Sequence, residues 1–91
     1  MRKVYVVVGS TGEYSDHTEW FVAAYLSEAA AANRVRECQL FANEAYQRRH
    51  EEWEGEPGQW DALLKSGPDP GIRIDYTGTR YSFACVDLVD G

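Results

Sequence analysis

The chain has 91 residues, 44% of them hydrophobic and 13% aromatic, and a formal net charge of −6. That composition folds instead of staying disordered, and it makes one small domain that buries roughly 60–65% of its unfolded surface. An acidic chain of this kind lacks the basic footprint that phosphate contacts need, so nucleic acid is not the expected partner.

Arg2 and Lys3 precede an apolar run that stops at Gly9, too short for the hydrophobic region of a signal peptide. No stretch approaches the length of apolar residues that spans a bilayer, so the expectation is a soluble, intracellular chain without a membrane partner. Cys38 and Cys85 fit neither a metal-ligand spacing nor a secreted disulfide framework, and both are expected as reduced core residues.

Lys3 to Gly9, KVYVVVG, is dense in β-branched residues and predicts a central strand. Ser10 to Thr18, STGEYSDHT, has the polar composition of a turn, yet it is longer than a tight hairpin needs. It reads as an ordered excursion or a binding loop. Glu19 to Leu26, EWFVAAYL, returns as a second strand, and Ser27 then offers a cap oxygen with Glu28 placed to favour a helix N-terminus.

The helix that follows carries Ala31, Val35, Cys38, Ala42, Ala45 and Arg49 in a narrow stripe, with Tyr46 and Trp53 at its edge. These small residues predict close approach to the sheet. Leu40 lies opposite the stripe, either as a single exposed leucine or as a contact with another chain. A helix running to Trp53 spans about 40 Å, against about 25 Å for an eight-residue strand, so it should overhang the sheet. Gln59 to Lys65, with Trp60, Leu63 and Leu64 at helical spacing, predicts a short second helix supporting that overhang. GPDPG from Gly67 to Gly71 is a loop, Ile72 to Asp75 a short extended lead-in, and Tyr76 to Thr79 a turn around Gly78. Arg80 to Leu88 is the last strand.

The expected fold is α+β: a three-stranded antiparallel or mixed sheet, order 2-1-3 in a β-β-α-β chain, with one long helix on one face and a short second helix. Strict alternation gives the sheet an aliphatic side with Val4, Val6, Val8, Val22, Ala24, Leu26, Ala84, Val86 and Leu88, which suits the helix. The other side is aromatic, with Tyr5, Phe21, Tyr25, Tyr81 and Phe83, and is the candidate interface unless the Trp60 segment covers it. In this register Cys38 and Cys85 lie on opposite sides of the sheet and do not pair.

The same topology brings the Ser10–Thr18 loop beside the start of the last strand. Glu13, Tyr14, Asp16, His17, Asp75, Tyr76 and Arg80 thereby become a candidate binding loop, with His50 of the helix end nearby.

The chemistry-bearing patterns are thin. His17, Glu13 and Asp16 have no zinc or calcium spacing, and Asp16 with His17 lacks any visible partner to tune an acid/base pair. GSTGEYS follows a strand but has neither the Lys-Ser/Thr ending of a phosphate loop nor the third glycine of the dinucleotide fingerprint. The aromatic face could stack bases, but few cations accompany it. Glu51, Glu52, Glu54, Glu56 and Asp61 read as a solvated helix end, with mimicry of a phosphate backbone as the sharper reading. No catalytic residue, metal or cofactor is expected, and the chain is read as a non-enzyme.

KVYVVVGSTGEYSDHTEW and DYTGTRYSFACVDLV resemble the two ends of a group of small uncharacterised phage and prophage proteins. Those share an opening VYVVxGSTGEYSDxxEW and a closing DYTGTxY strand. The likeness covers about half the chain and leaves the stretch from Arg48 to Pro70 unmatched. It implies an accessory protein acting in the cytoplasm of a bacterial host, and it carries no activity with it. The expectation is a homodimeric protein-interaction module, one specific version of which inhibits a host protein. The rival is a small-ligand binder or enzyme built on the polar cluster of residues 10–18 and 75–80.

Overall fold

The computed structural model describes residues 2–12, 17–50, 57–74 and 78–89, apart from the side chains of residues 49, 50 and 57, and within them three strands and two helices. In chain order they are β1 (Arg2–Thr11), β2 (Thr18–Tyr25), α1 (Glu28–His50), α2 (Pro57–Lys65) and β3 (Thr79–Leu88). The sheet has the order β2-β1-β3, with β1 antiparallel to both neighbours, and the fold is α+β as expected from the sequence.

Ser27 caps α1. Its Oγ accepts the Ala30 N–H at 3.2 Å, and its carbonyl takes the first helical bond, from Ala31 N at 3.1 Å. The small-residue stripe is buried as the spacing predicts, with Ala31, Cys38, Ala42 and Ala45 nearly inaccessible. Leu40 is 60% exposed on the far side. Over the described residues α1 and β1 are each about 34 Å long, so the expected overhang rests on the continuation to Trp53, which lies outside those residues.

Which side of the sheet the helix covers is a correction. Val7, Gly9, Thr11 and Tyr81 are buried, and Cys38 and Ala42 of α1 form one core cluster with Ile72 and Tyr81. The aromatic side therefore faces α1, and the aliphatic side is open. The reason is complementarity of size. A helix stripe of alanines and one cysteine leaves a gap over a valine face, whereas large rings from the strands fill it. The same register puts Cys85, paired with Tyr5, on the helix side with Cys38; both are free thiols, one exposed and one buried.

A second correction concerns β2. Val7 pairs with Ala23 but Val8 pairs with Phe21, so Val22 has no partner of its own and forms a β-bulge. Beyond the bulge the alternation inverts. Trp20 turns to the helix side opposite Gly9, and Phe21 turns outward.

Gly9 explains why this is tolerated. A Cβ at Gly9 would lie 2.5 Å from the Trp20 ring, so only glycine lets the indole cross the central strand. There Trp20 meets Tyr81 of the opposite edge strand edge-on, with ring centroids 6.3 Å apart and planes at 88°. The GPDPG loop seals this pair. The Asp69 carboxylate accepts from Trp20 Nε1 and Tyr81 Oη, each at 2.8 Å, and from Gly71 N at 3.1 Å. Arg34 of α1 holds the same loop, donating to the Pro68 carbonyl at 2.8 Å and to Tyr25 Oη at 2.7 Å.

On the other edge, Gln39 of α1 treats β3 as a missing strand would. Its amide donates to the Thr79 carbonyl at 2.8 Å and accepts the Tyr81 N–H at 2.9 Å. The second helix joins the same side. Leu64 packs on the core cluster, and Leu63 faces Phe41 and Ala45 across a small cleft. The Trp60 segment thus supports α1 and leaves the outer side of the sheet uncovered.

Candidate functional site

Of the seven residues predicted for the binding loop, the structure describes His17 and Arg80 and brings them together; Glu13, Tyr14, Asp16, Asp75 and Tyr76 lie outside the described residues, as does the His50 side chain. β1 and β3 start and end their pairing here, with Thr11 opposite Thr79. Both threonines are buried and satisfied: Thr11 Oγ1 donates to the Gly78 carbonyl at 2.8 Å, and Thr79 Oγ1 donates to the Arg73 carbonyl at 2.5 Å. Gly78 takes φ +85°, a left-handed conformation that fits glycine.

Arg80 Nη2 donates to the Gly12 carbonyl at 3.1 Å. His17 places Nε2 3.1 Å from Glu19 Oε1 and Nδ1 3.5 Å from the same Gly12 carbonyl. Only the protonated ring can donate to both acceptors. The Glu19 bond, followed by the Gly12 carbonyl, accordingly raises the His17 pKa above 6.5. The histidine is exposed, so this is a solvated ion pair that fastens a loop. Among the described residues no three His, Cys, Asp or Glu side chains gather as metal ligands would.

The five residues predicted as an interface are divided by the bulge and the helix. Tyr81 is 8% exposed and bonded to Asp69, and burial together with that bond holds its phenol proton well above the ordinary range. Tyr25 is tied to Arg34, whose guanidinium carbon stands 6.0 Å from the ring centroid. Tyr5 and Phe83 pack edge-to-face at 6.2 Å. These four lie on the side that α1 and the GPDPG loop cover. Phe21 alone points outward, 65% exposed.

Strict alternation names most of what the outer side presents but places the helix over it and puts Val22 where Phe21 stands. Val4, Val6 and Val8 run down its centre, with Phe21 and Ala24 on one flank and Ala84, Val86 and Leu88 on the other. Val86 and Leu88 are 46% and 44% exposed, and Leu26, just past the end of β2 at the opposite edge, is 66% exposed. Among the described residues of this side, charge is confined to the rim, at Arg2, Glu19 and Arg80. Gly9 in mid-strand was the available signal, because an interior glycine marks close approach of a neighbouring side chain.

Concave space is found along α1. A cleft of about 100 Å³ is lined by Phe41, Glu44, Ala45, Arg48 and Leu63, below the roughly 300–1,000 Å³ of small-molecule sites. A shallower hollow of about 470 Å³ touches Asn43, Glu44, Gln47 and Arg48, all on one helix, with no opposing wall among the described residues. No helix among the described residues is long and apolar enough to cross a membrane.

Comparison with family models, curated proteins and solved structures returns no match for this chain. The fold and its open face define the class: a small α+β domain with one covered and one uncovered sheet side.

Proposed function

We propose that this domain is a non-enzymatic protein-interaction module that docks a protein on the outer side of its sheet. The observation that carries the reading is the uncharged apolar face of Val4, Val6, Val8, Phe21, Val86 and Leu88, with charge only at its rim. Such a contiguous patch exceeds the scattered apolar residues of an ordinary surface, and depletion of charge at the centre is typical of interface cores. The two terminal motifs support a phage or prophage setting, with a bacterial host protein as one class of partner.

Site-directed photocrosslinking in bacterial cells tests this. A benzophenone side chain at position 21 or 86 should give a discrete protein adduct, whereas one at Asn43 on α1 should not. No adduct from the sheet positions, or equal adducts from all three, would refute the docking face.

A further inference from the structure

We infer that the occupant of the outer sheet face is a second copy of this chain, packed face to face across a two-fold axis into a four-layer dimer with the helices outside. This rests on the docking reading above and names its partner. Three observations lead to it.

The first is exposure. Phe21, Val86 and Leu88 are 65%, 46% and 44% exposed on one face, large apolar side chains that a lone folded domain seldom leaves together in water. The second is core size. Val7 and Cys38 are the largest fully buried side chains among the described residues, so a single copy has little interior of its own. A second sheet laid on Val4, Val6 and Val8 turns those partly exposed valines into a core about 10 Å thick.

The third is symmetry. An isologous contact requires a surface that tolerates its own image, and a face with charge only at its rim meets itself without opposing like charges at its centre. Pairing of two β3 edges does not serve the same end. It would join the sheets side by side and leave the apolar face bare on both copies, while Gln39 already occupies the Thr79 and Tyr81 backbone groups of that edge.

The experiment is light scattering after size-exclusion chromatography across a wide range of protein concentration, on the wild type and on Val86→Asp, Phe21→Ser and Leu40→Ser. All three positions are exposed in the single copy, and circular dichroism confirms that each variant is folded. The inference requires a wild-type mass near twice 10.3 kDa, retained by Leu40→Ser. Val86→Asp, present twice per dimer, should raise the dissociation constant by at least about 100-fold, and Phe21→Ser should also dissociate the pair.

A folded wild-type monomer at every concentration overturns the second copy as occupant, and the docking face then survives if the crosslinked adducts have another mass. A dimer that survives Phe21→Ser but not Val86→Asp is an edge pairing and overturns the face-to-face arrangement. A dimer lost only in Leu40→Ser overturns the inference and leaves the docking face to the crosslinking result alone.

Discussion

Replacing Asp69 with alanine should cost several times what a typical loop substitution costs. The carboxylate is buried, at 4% exposure, and takes bonds from the Trp20 indole, the Tyr81 hydroxyl and the Gly71 amide. Removing it leaves two side-chain donors, the Trp20 N–H and the Tyr81 O–H, without the acceptor they share. A buried donor left unsatisfied costs about 1–3 kcal/mol, so the pair and the lost loop anchor together predict about 3–5 kcal/mol. A 91-residue domain holds roughly 5–14 kcal/mol in all, so the variant should approach the unfolding threshold, with a melting point about 15–30 °C lower. Urea denaturation followed by tryptophan fluorescence reads this directly. Asp69→Asn should fall only a little less, because one end of its amide presents donors to donors. Tyr81→Phe should cost about 1.5–3 kcal/mol alone and far less in the Asp69→Ala background, since its partner is already gone. A loss below about 1 kcal/mol in Asp69→Ala, or full additivity with Tyr81→Phe, would show that the carboxylate does not hold the loop to the sheet.

Gly9→Ala should destabilise by about 1–3 kcal/mol through overpacking against the Trp20 ring, 2.5 Å from the new Cβ; an unchanged urea midpoint would mean that the indole does not cross the strand. The Cys38 pKa is pushed up to about 11 by burial, with the nearby Asp69 charge adding to it. At mildly alkaline pH, exposed Cys85 should react quickly with a disulfide reagent and Cys38 only on unfolding, whereas equal rates would contradict the core assignment. His17, its pKa raised first by Glu19, contributes stability that is complete below 6.5 and fades as pH rises through its higher folded value. An NMR titration should find its midpoint above 6.5 and Glu19→Gln should lower it; a wild-type midpoint at or below 6.5 would refute the pairing.

The strands, the capped helix and the sheet order could be read from the chain because each has a local signal. Lys3–Gly9 is β-branched, Ser27 and Glu28 mark a helix start, and Ala31, Cys38, Ala42 and Ala45 share one helical stripe. The covered side could not be read by hydrophobicity, since both sides are apolar. It follows from volume, where small residues on α1 require large ones opposite. The inversion along β2 was also hidden, because one unpaired residue, Val22, exchanges the roles of Trp20 and Phe21 without altering the composition of the strand. At the loop end, His17 and Arg80 were found by the topology that joins the ends of β1 and β3. Their common target, the Gly12 carbonyl, is a backbone atom and leaves no trace in residue type.

The pairing of Arg2 with Leu88 along the full length of β1 and β3 also sets an order of events during synthesis. Of the three strands the central one is made first, and one of its two neighbours follows only after both helices. At about 5–20 residues per second, several seconds separate them. In that interval β1 and β2 form a hairpin, which is marginal alone in water, with one edge of β1 and the valine side that α1 does not cover exposed to other nascent chains. A stop that removes β3 would make this state permanent. Chains interrupted before β3 should therefore be recovered as aggregates or degradation products, while chains that include it close the open edge of β1 with that ten-residue strand.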